Sequence, residues 1–287
     1  MSGYGKTDEI THQSRVLKLE LEAYRSLLEN IGTPRALTCA IMLRYGDFGG
    51  ILGLSVDPNH YDDPGKFADD YLVTSVLQKN PRLPTGIDRK QVALDKFYQA
   101  EKLCAETNLR IFEFRENQQS ADPWILHIVS KTQKVIQRIL SPYPSRPDLD
   151  YCETKMRFGP GATTSLSGIV TQGAKYNSRP LDCTLDLVDF RAWCFPHQWK
   201  DHVRELNIVQ GSKLTTVPKN AKTDRVICIE PDLNIFVQLG IGALIREKLR
   251  KFGLDLQHQT RNQYLASIAW ENNLATVDLS SASDTIS

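Results

Sequence analysis

Along the first half of the chain, apolar residues recur at spacings of three and four. Leu17, Leu21, Tyr24, Leu28 and Ile31 share one face and predict a helix over residues 8–31, stopped by Gly32 and Pro34. A second helix is predicted from Pro34 to Tyr45, after which Gly46, Gly49, Gly50 and Gly53 break the chain into turns. Asp88-Arg89-Lys90-Gln91 has the form of a capping box ahead of Val92, Phe97, Ala100 and Cys104, which fall on one helical face. Asp122-Pro123 opens another helix, in which Ile125, Ile128, Val129, Ile136, Ile139 and Leu140 are periodic. Ser141-Pro142-Tyr143-Pro144 ends it, Pro147 follows, and this proline cluster marks a boundary.

Beyond that boundary the pattern changes. Phe158-Gly159-Pro160-Gly161-Ala162-Thr163-Thr164-Ser165 is rich in Gly and Thr. It reads as a structural turn, or as a loop whose amides at Gly159 and Gly161 contact phosphate, although it lacks the Lys of a P-loop. Trp193, Phe195 and Trp199 lie among Arg191, Lys200 and Arg204, a composition of core aromatics with a charged rim or of a base-stacking surface. Leu214–Val217 and Arg225–Ile229 predict two strands, with Lys219, Lys222 and Arg225 around the loop between them. Those cations form either an exposed basic turn or a phosphate site. A helix is predicted from Asp232 to Phe252; Arg246, Lys248, Arg250 and Lys251 in its last turns suit the helix dipole, and Gly253 suits a left-handed cap. Last comes a short apolar run, Leu274 to Val277, which predicts a buried strand ending in the carboxylate of Asp278. A second carboxylate, Asp284, follows a Ser-rich turn, and Ser281-x-x-Asp284 has the form of a capping box.

Composition narrows the picture without deciding it. The 287 residues carry a net charge of +1, so no global basicity points to nucleic acid. Between Gly211 and Arg261, however, there are nine Lys/Arg against five Asp/Glu, a surplus of four. The cysteines (Cys39, Cys104, Cys152, Cys183, Cys194 and Cys228) are scattered without a CxxC pair, which predicts reduced thiols and a cytosolic protein. Cys194 and His197, followed by His202, could seed a zinc site but lack a fourth ligand at matching spacing; the alternative is loop side chains. Residues 1–8 have no apolar core of a signal peptide, and the most apolar segment, Leu233 to Ile245, is too short to span a bilayer.

Three stretches carry a family resemblance. Asp278-Leu279-Ser280-Ser281-Ala282-Ser283-Asp284 resembles the first palm motif of RNA-dependent RNA polymerases, and its serine-rich interior resembles that of the replicase β subunit of the small single-stranded RNA bacteriophages, the leviviruses. Phe158 to Ser165 is similar to a segment typical of those replicases. Val217-Pro218-Lys219-Asn220-Ala221-Lys222-Thr223-Asp224-Arg225 resembles their basic fingers motif. The three occur in family order, with a looser likeness upstream through Asp69-Asp70-Tyr71.

The resemblance implies an α+β fold: a helical amino-terminal region over 1–150, a fingers-like region with the basic motif over 151–262, and the first strand of a polymerase palm over 263–287. It implies template-directed nucleotidyl transfer with two Mg²⁺ ions. Asp278 would be catalytic and a metal ligand, and Asp284 would meet the ribose 2′ hydroxyl. Lys219, Lys222 and Arg225 would meet the triphosphate, and Gly159 and Gly161 would lie near the RNA path. It further implies RNA template and product, nucleoside triphosphates, host elongation factors Tu and Ts, a ribosomal protein, and the cytoplasm of the bacterial host. Such replicases continue past this motif to further carboxylates, so this chain is expected to be an amino-terminal portion that is inactive alone. Tyr61-Asp62-Asp63 superficially resembles a polymerase Gly-Asp-Asp pair, but it sits between Pro58 and Pro64-Gly65 and reads as a surface turn. Two rival readings remain open at this point: a phosphotransferase using the Gly159–Gly161 loop, and an RNA-binding module without catalysis.

Overall fold

The computed structural model describes residues 4–118, 121–168, 170–177, 180–188, 205–279 and 281–286, with side chains described from residue 14 onward. The aromatic and basic group at Arg191, Trp193, Phe195, Trp199, Lys200 and Arg204, and the trio Cys194, His197 and His202, lie outside the described residues.

In chain order the helices are α1 (Tyr4–Ile31), α2 (Pro34–Tyr45), α3 (Phe48–Gly53), α4 (Pro64–Gln78), α5 (Arg89–Glu116), α6 (Pro123–Leu140), α7 (Arg146–Lys155), α8 (Gln172–Asn177), α9 (Leu185–Val188), α10 (Asp232–Lys251) and α11 (Thr260–Ser267). The strands are β1 (Leu181–Cys183), β2 (Leu206–Ile208), β3 (Lys213–Pro218) and β4 (Asp224–Ile229). β1 and β2 pair in parallel, and β3 pairs with β4 in a separate two-stranded sheet. The fold is α+β, helical early and mixed later, as expected. Two compact units emerge: residues 1–99 with 216–227, and residues 100–215 with 228–287.

In the first unit, the predicted stripe of α1 faces a core of Leu28, Ala36, Cys39, Leu43, Ile51, Val73 and Leu77, with Leu21, Tyr24 and Ile31 packed against it. Gly32 takes a positive φ and Thr33 then caps α2, accepting the Ala36 amide at 3.1 Å. The Thr33 hydroxyl donates to Asp70 at 2.6 Å, and Asp70 also accepts the Tyr61 hydroxyl at 2.7 Å. The glycine run after α2 is not a series of turns: Asp47 accepts the Gly50 amide at 2.8 Å and starts the short helix α3. Tyr61-Asp62-Asp63 is indeed a turn, since Asp63 caps α4 through the Gly65 amide at 2.8 Å. Asp88 caps α5 through the Gln91 amide at 3.0 Å, but Gln91 turns its amide to Asp95, so the box is half made.

In the second unit, α7 packs on α10 and both enclose Cys152, Met156, Phe158, Leu233, Phe236 and Val237, with Leu181 and Cys183 of β1. The close approach depends on Gly240 of α10, where a Cβ would lie 2.7 Å from the Cys152 carbonyl oxygen. Ser145 opens α7 with a full capping box to Asp148. Lys248 of α10 then bonds Asp148 at 2.8 Å and the Leu140 carbonyl at the end of α6 at 2.8 Å. Asp122 caps α6 as expected, yet its periodic face stays partly exposed, Ile125, Ile128 and Ile136 among it. Gly253 adopts the expected left-handed conformation after α10. Among the described residues, no helix is long and apolar enough to cross a membrane, and no disulfide joins Cys39, Cys104, Cys152, Cys183 and Cys228.

Candidate functional site

The predicted hairpin is present, and its loop is held from beneath. Ala221 is fully buried against Leu52 and Leu83. Its amide donates to the Gln78 carbonyl at 3.0 Å, and its carbonyl accepts the Thr85 hydroxyl at 3.4 Å. Asn220 folds the loop on itself by accepting the Lys222 and Thr223 amides, each at 2.9 Å. Arg89 lies 3.8 Å from Asp224 at the start of β4. On this anchored loop Lys219, Lys222 and Arg225 are all exposed, and none of their side chains is hydrogen-bonded or ion-paired among the described residues. Cations fixed at the backbone but free at their tips suit an anionic ligand, because no internal partner must first be displaced.

Gly159 and Gly161 lie on one loop of the second unit. Gly161 has φ of +100°, which a residue with a side chain rarely adopts. The Gly159 carbonyl accepts the Lys175 ammonium at 2.6 Å. Lys175 is 1% exposed, and burial pushes its pKa down while the charge of Asp232 opposes the shift. This lysine is therefore committed to backbone. The next helix begins only at Gln172. Neither feature has the layout of a P-loop, in which a helix follows at once and its lysine reaches phosphate.

Beside this loop lies a buried polar network that pattern reading misses. Asp232, at the first position of α10 and fully buried, accepts the Thr163 hydroxyl at 2.5 Å and the Asp182 amide at 2.9 Å. Asp182 accepts the Thr164 hydroxyl at 2.5 Å and the Asn207 amide at 2.7 Å. Its partners come from distant segments, so no local spacing betrays it. Pro231-Asp232 at a helix start is the one visible signal.

The end of the chain departs from expectation. Leu274 to Val277 is not a strand; Leu274 is 43% exposed and Val277 77% exposed. A strand needs a neighbour for its backbone groups, and none of the described residues pairs with this segment. Asp278 is accordingly exposed and not buried at a strand end. The capping box at Ser281 is not made either. Ser281 has φ of 52° and no side-chain cap bond, and Asp284 sits exposed in a single 3₁₀ turn, Ala282–Thr285. Asp284 instead accepts the Ser283 hydroxyl at 3.2 Å, and its carbonyl receives the Cys104 thiol at 3.4 Å. Oxygen donors of this kind suit a hard divalent cation, but the described residues bring no group of three metal-ligating side chains together.

A family model for the RNA replicase beta-chain matches residues 36–287. The RNA-directed RNA polymerase subunit beta of Qbeta virus (strain MX1) is 38% identical over 242 residues, 82% of this chain and 39% of the relative. That of Escherichia virus Qbeta is 36% identical over 236 residues, again 82% of this chain and 39% of the relative. The RNA-directed RNA polymerase beta chain of Escherichia phage MS2 is 34% identical over 273 residues, 90% of this chain and 47% of the relative. The chain thus spans between about two-fifths and one half of the length of these relatives. With a match over most of its length, the chain belongs to the RNA replicase beta-chain family.

Proposed function

We propose that this chain is the nucleotide- and template-handling portion of a viral RNA-directed RNA polymerase, which copies RNA by template-directed nucleotidyl transfer. The observation that carries this reading is the anchored hairpin with Lys219, Lys222 and Arg225 exposed and unpaired among the described residues. A triphosphate brings several negative charges to one place, and converging cations steady both the incoming nucleotide and the departing pyrophosphate. Gly159 and Gly161 support a role along the RNA path, since their amides donate to no group among the described residues. Asp278 is assigned as the catalytic carboxylate and as one oxygen donor to Mg²⁺, whose charge would steady the reacting phosphate oxygens. Water and substrate phosphate oxygens would supply further donors. Asp284 is assigned to the ribose 2′ hydroxyl, for which its exposed carboxylate is a suitable acceptor.

The substrates are an RNA template and nucleoside triphosphates. Family likeness further proposes elongation factors Tu and Ts and a ribosomal protein as host partners, and the bacterial cytoplasm as the site of action. RNA affinity of the 287-residue chain, measured across a salt series, tests the reading. If the three cations each neutralise a phosphate, replacing all three by alanine lowers the slope of log affinity against log salt by about 2. An unchanged slope would take RNA phosphate from them, and unchanged triphosphate affinity in the same variant would return them to an ordinary basic turn. ATP turnover without template would favour a phosphotransferase.

A further inference from the structure

Next to the basic hairpin, within the first unit, lies a cavity of about 370 Å³ whose lining includes Tyr71, Thr74, Ser75, Lys79, Asn220 and Lys222. No carboxylate of the described residues lines it. Tyr71, Thr74 and Ser75 recur at helical spacing and form one face of α4, and Lys79 caps that helix. Lys222 and Asn220 enter from the loop docked on Gln78.

Three details set this cavity apart from a surface dent. Tyr71 is half-exposed, and Phe67 stacks beside it with ring centroids 5.9 Å apart and planes at 28°, which fixes an aromatic platform. Lys79 and Lys222 are both exposed and unpaired among the described residues. Finally, the electronegative end of α4 does not oppose an anion here. The Ser75, Leu77 and Gln78 carbonyls are already taken by the amides of Lys79, Asn80 and Ala221. Asn220 spends its carbonyl oxygen within the loop, which leaves its amide NH₂ as a donor.

We infer that this cavity binds a phosphate-bearing nucleotide, with the phosphate between Lys79 and Lys222 and the base on Tyr71. The inference rests on the polymerase reading for its ligand class and extends it to a second contact point beside the hairpin. A base on an aromatic with cations at the backbone is the usual chemistry of single-strand binding. The same groups would accept a free nucleoside triphosphate.

The test uses the 287-residue chain and a fluorescent single-stranded octauridylate, read by anisotropy. Tyr71→Leu and Lys79→Gln keep most of the buried volume; each is expected to weaken binding about five-fold or more. Displacement of the oligonucleotide by UTP assigns the cavity to a free nucleotide, and failure of displacement assigns it to the strand. Wild-type affinity in both Tyr71→Leu and Lys79→Gln would overturn the inference. Lys219→Gln and Arg225→Gln separate the two ideas, since both lie outside the cavity lining. Loss in these with none in the cavity variants keeps the hairpin and discards the cavity. The reverse pattern keeps the cavity and discards the hairpin.

Discussion

Thr163 donates its hydroxyl to Asp232 at 2.5 Å, joining the Gly-rich loop to the first turn of α10 across 69 positions of sequence. The same carboxylate holds the Asp182 amide, so one buried side chain ties a loop, a strand and a helix. Its negative charge at a helix N-terminus is favourable, which offsets part of the cost of burial.

Asp232→Ala should therefore be among the most destabilising single changes in this unit. It leaves the Thr163 hydroxyl and the Asp182 amide buried without an acceptor, a loss of about 3 kcal/mol or more. Thr163→Val removes only one bond and should cost about 1–2 kcal/mol. Urea unfolding of the two variants checks the order; an Asp232→Ala protein as stable as Thr163→Val would contradict it.

The junction of α6, α7 and α10 should weaken in acid. Hydrogen bonding from Lys248, and next from the Ser145 amide, lowers the Asp148 carboxyl from 3.8 to about 2. Because the folded value lies below the unfolded one, the stabilisation is fully present above about pH 4. It is lost as pH falls through about 2. With Asp148 partly exposed, the contribution is about 1 kcal/mol. Melts of wild type and Asp148→Asn should differ at pH 6 and converge towards pH 2. A constant difference across that range would contradict the assignment.

Gly240→Ala should force α7 and α10 apart. The new Cβ would meet the Cys152 carbonyl oxygen and Met156 Cγ, each at 2.7 Å, and backbone cannot yield as a flexible side chain can. The expected cost is about 1–3 kcal/mol. Cys152 is 2% exposed and burial raises its thiol pKa, so it should react slowly in the wild type. Faster alkylation at Cys152 in the variant, mapped by peptide mass, would accompany the loss; unchanged reactivity would mean the interface absorbs the methyl.

What was legible in the sequence was what neighbours in sequence determine. The stripe of α1, the Asp122 cap of α6, the glycine after α10 and the β3–β4 hairpin are all local signals, and all are present. The cations at Lys219, Lys222 and Arg225 were legible for the same reason, since one loop carries them together. Ser145-Arg146-Pro147-Asp148 was an equally local signal for α7, hidden because the surrounding prolines read as a boundary. The Asp232 network was not legible, because Thr163, Asp182 and Asn207 reach it from separate segments. Leu274–Val277 failed for the opposite reason. Its composition favours a strand, but a strand exists only where a second one satisfies its backbone.

The central claim is that this chain carries the catalytic carboxylate of an RNA-directed RNA polymerase. The most direct measurement is single-nucleotide incorporation on an RNA template by a completed polymerase containing this chain, with ribo- and deoxyribonucleotides across a Mg²⁺ series. Asp278→Asn should abolish incorporation at every Mg²⁺ concentration, since a neutral amide is a poorer donor to a hard cation. It should leave the melting temperature nearly unchanged, because Asp278 is exposed and makes no hydrogen bond or ion pair among the described residues. Asp284→Asn should retain part of the activity and alter the preference for ribonucleotides, since an amide can still bond a ribose hydroxyl. Near-normal incorporation by a folded Asp278→Asn enzyme would contradict the account.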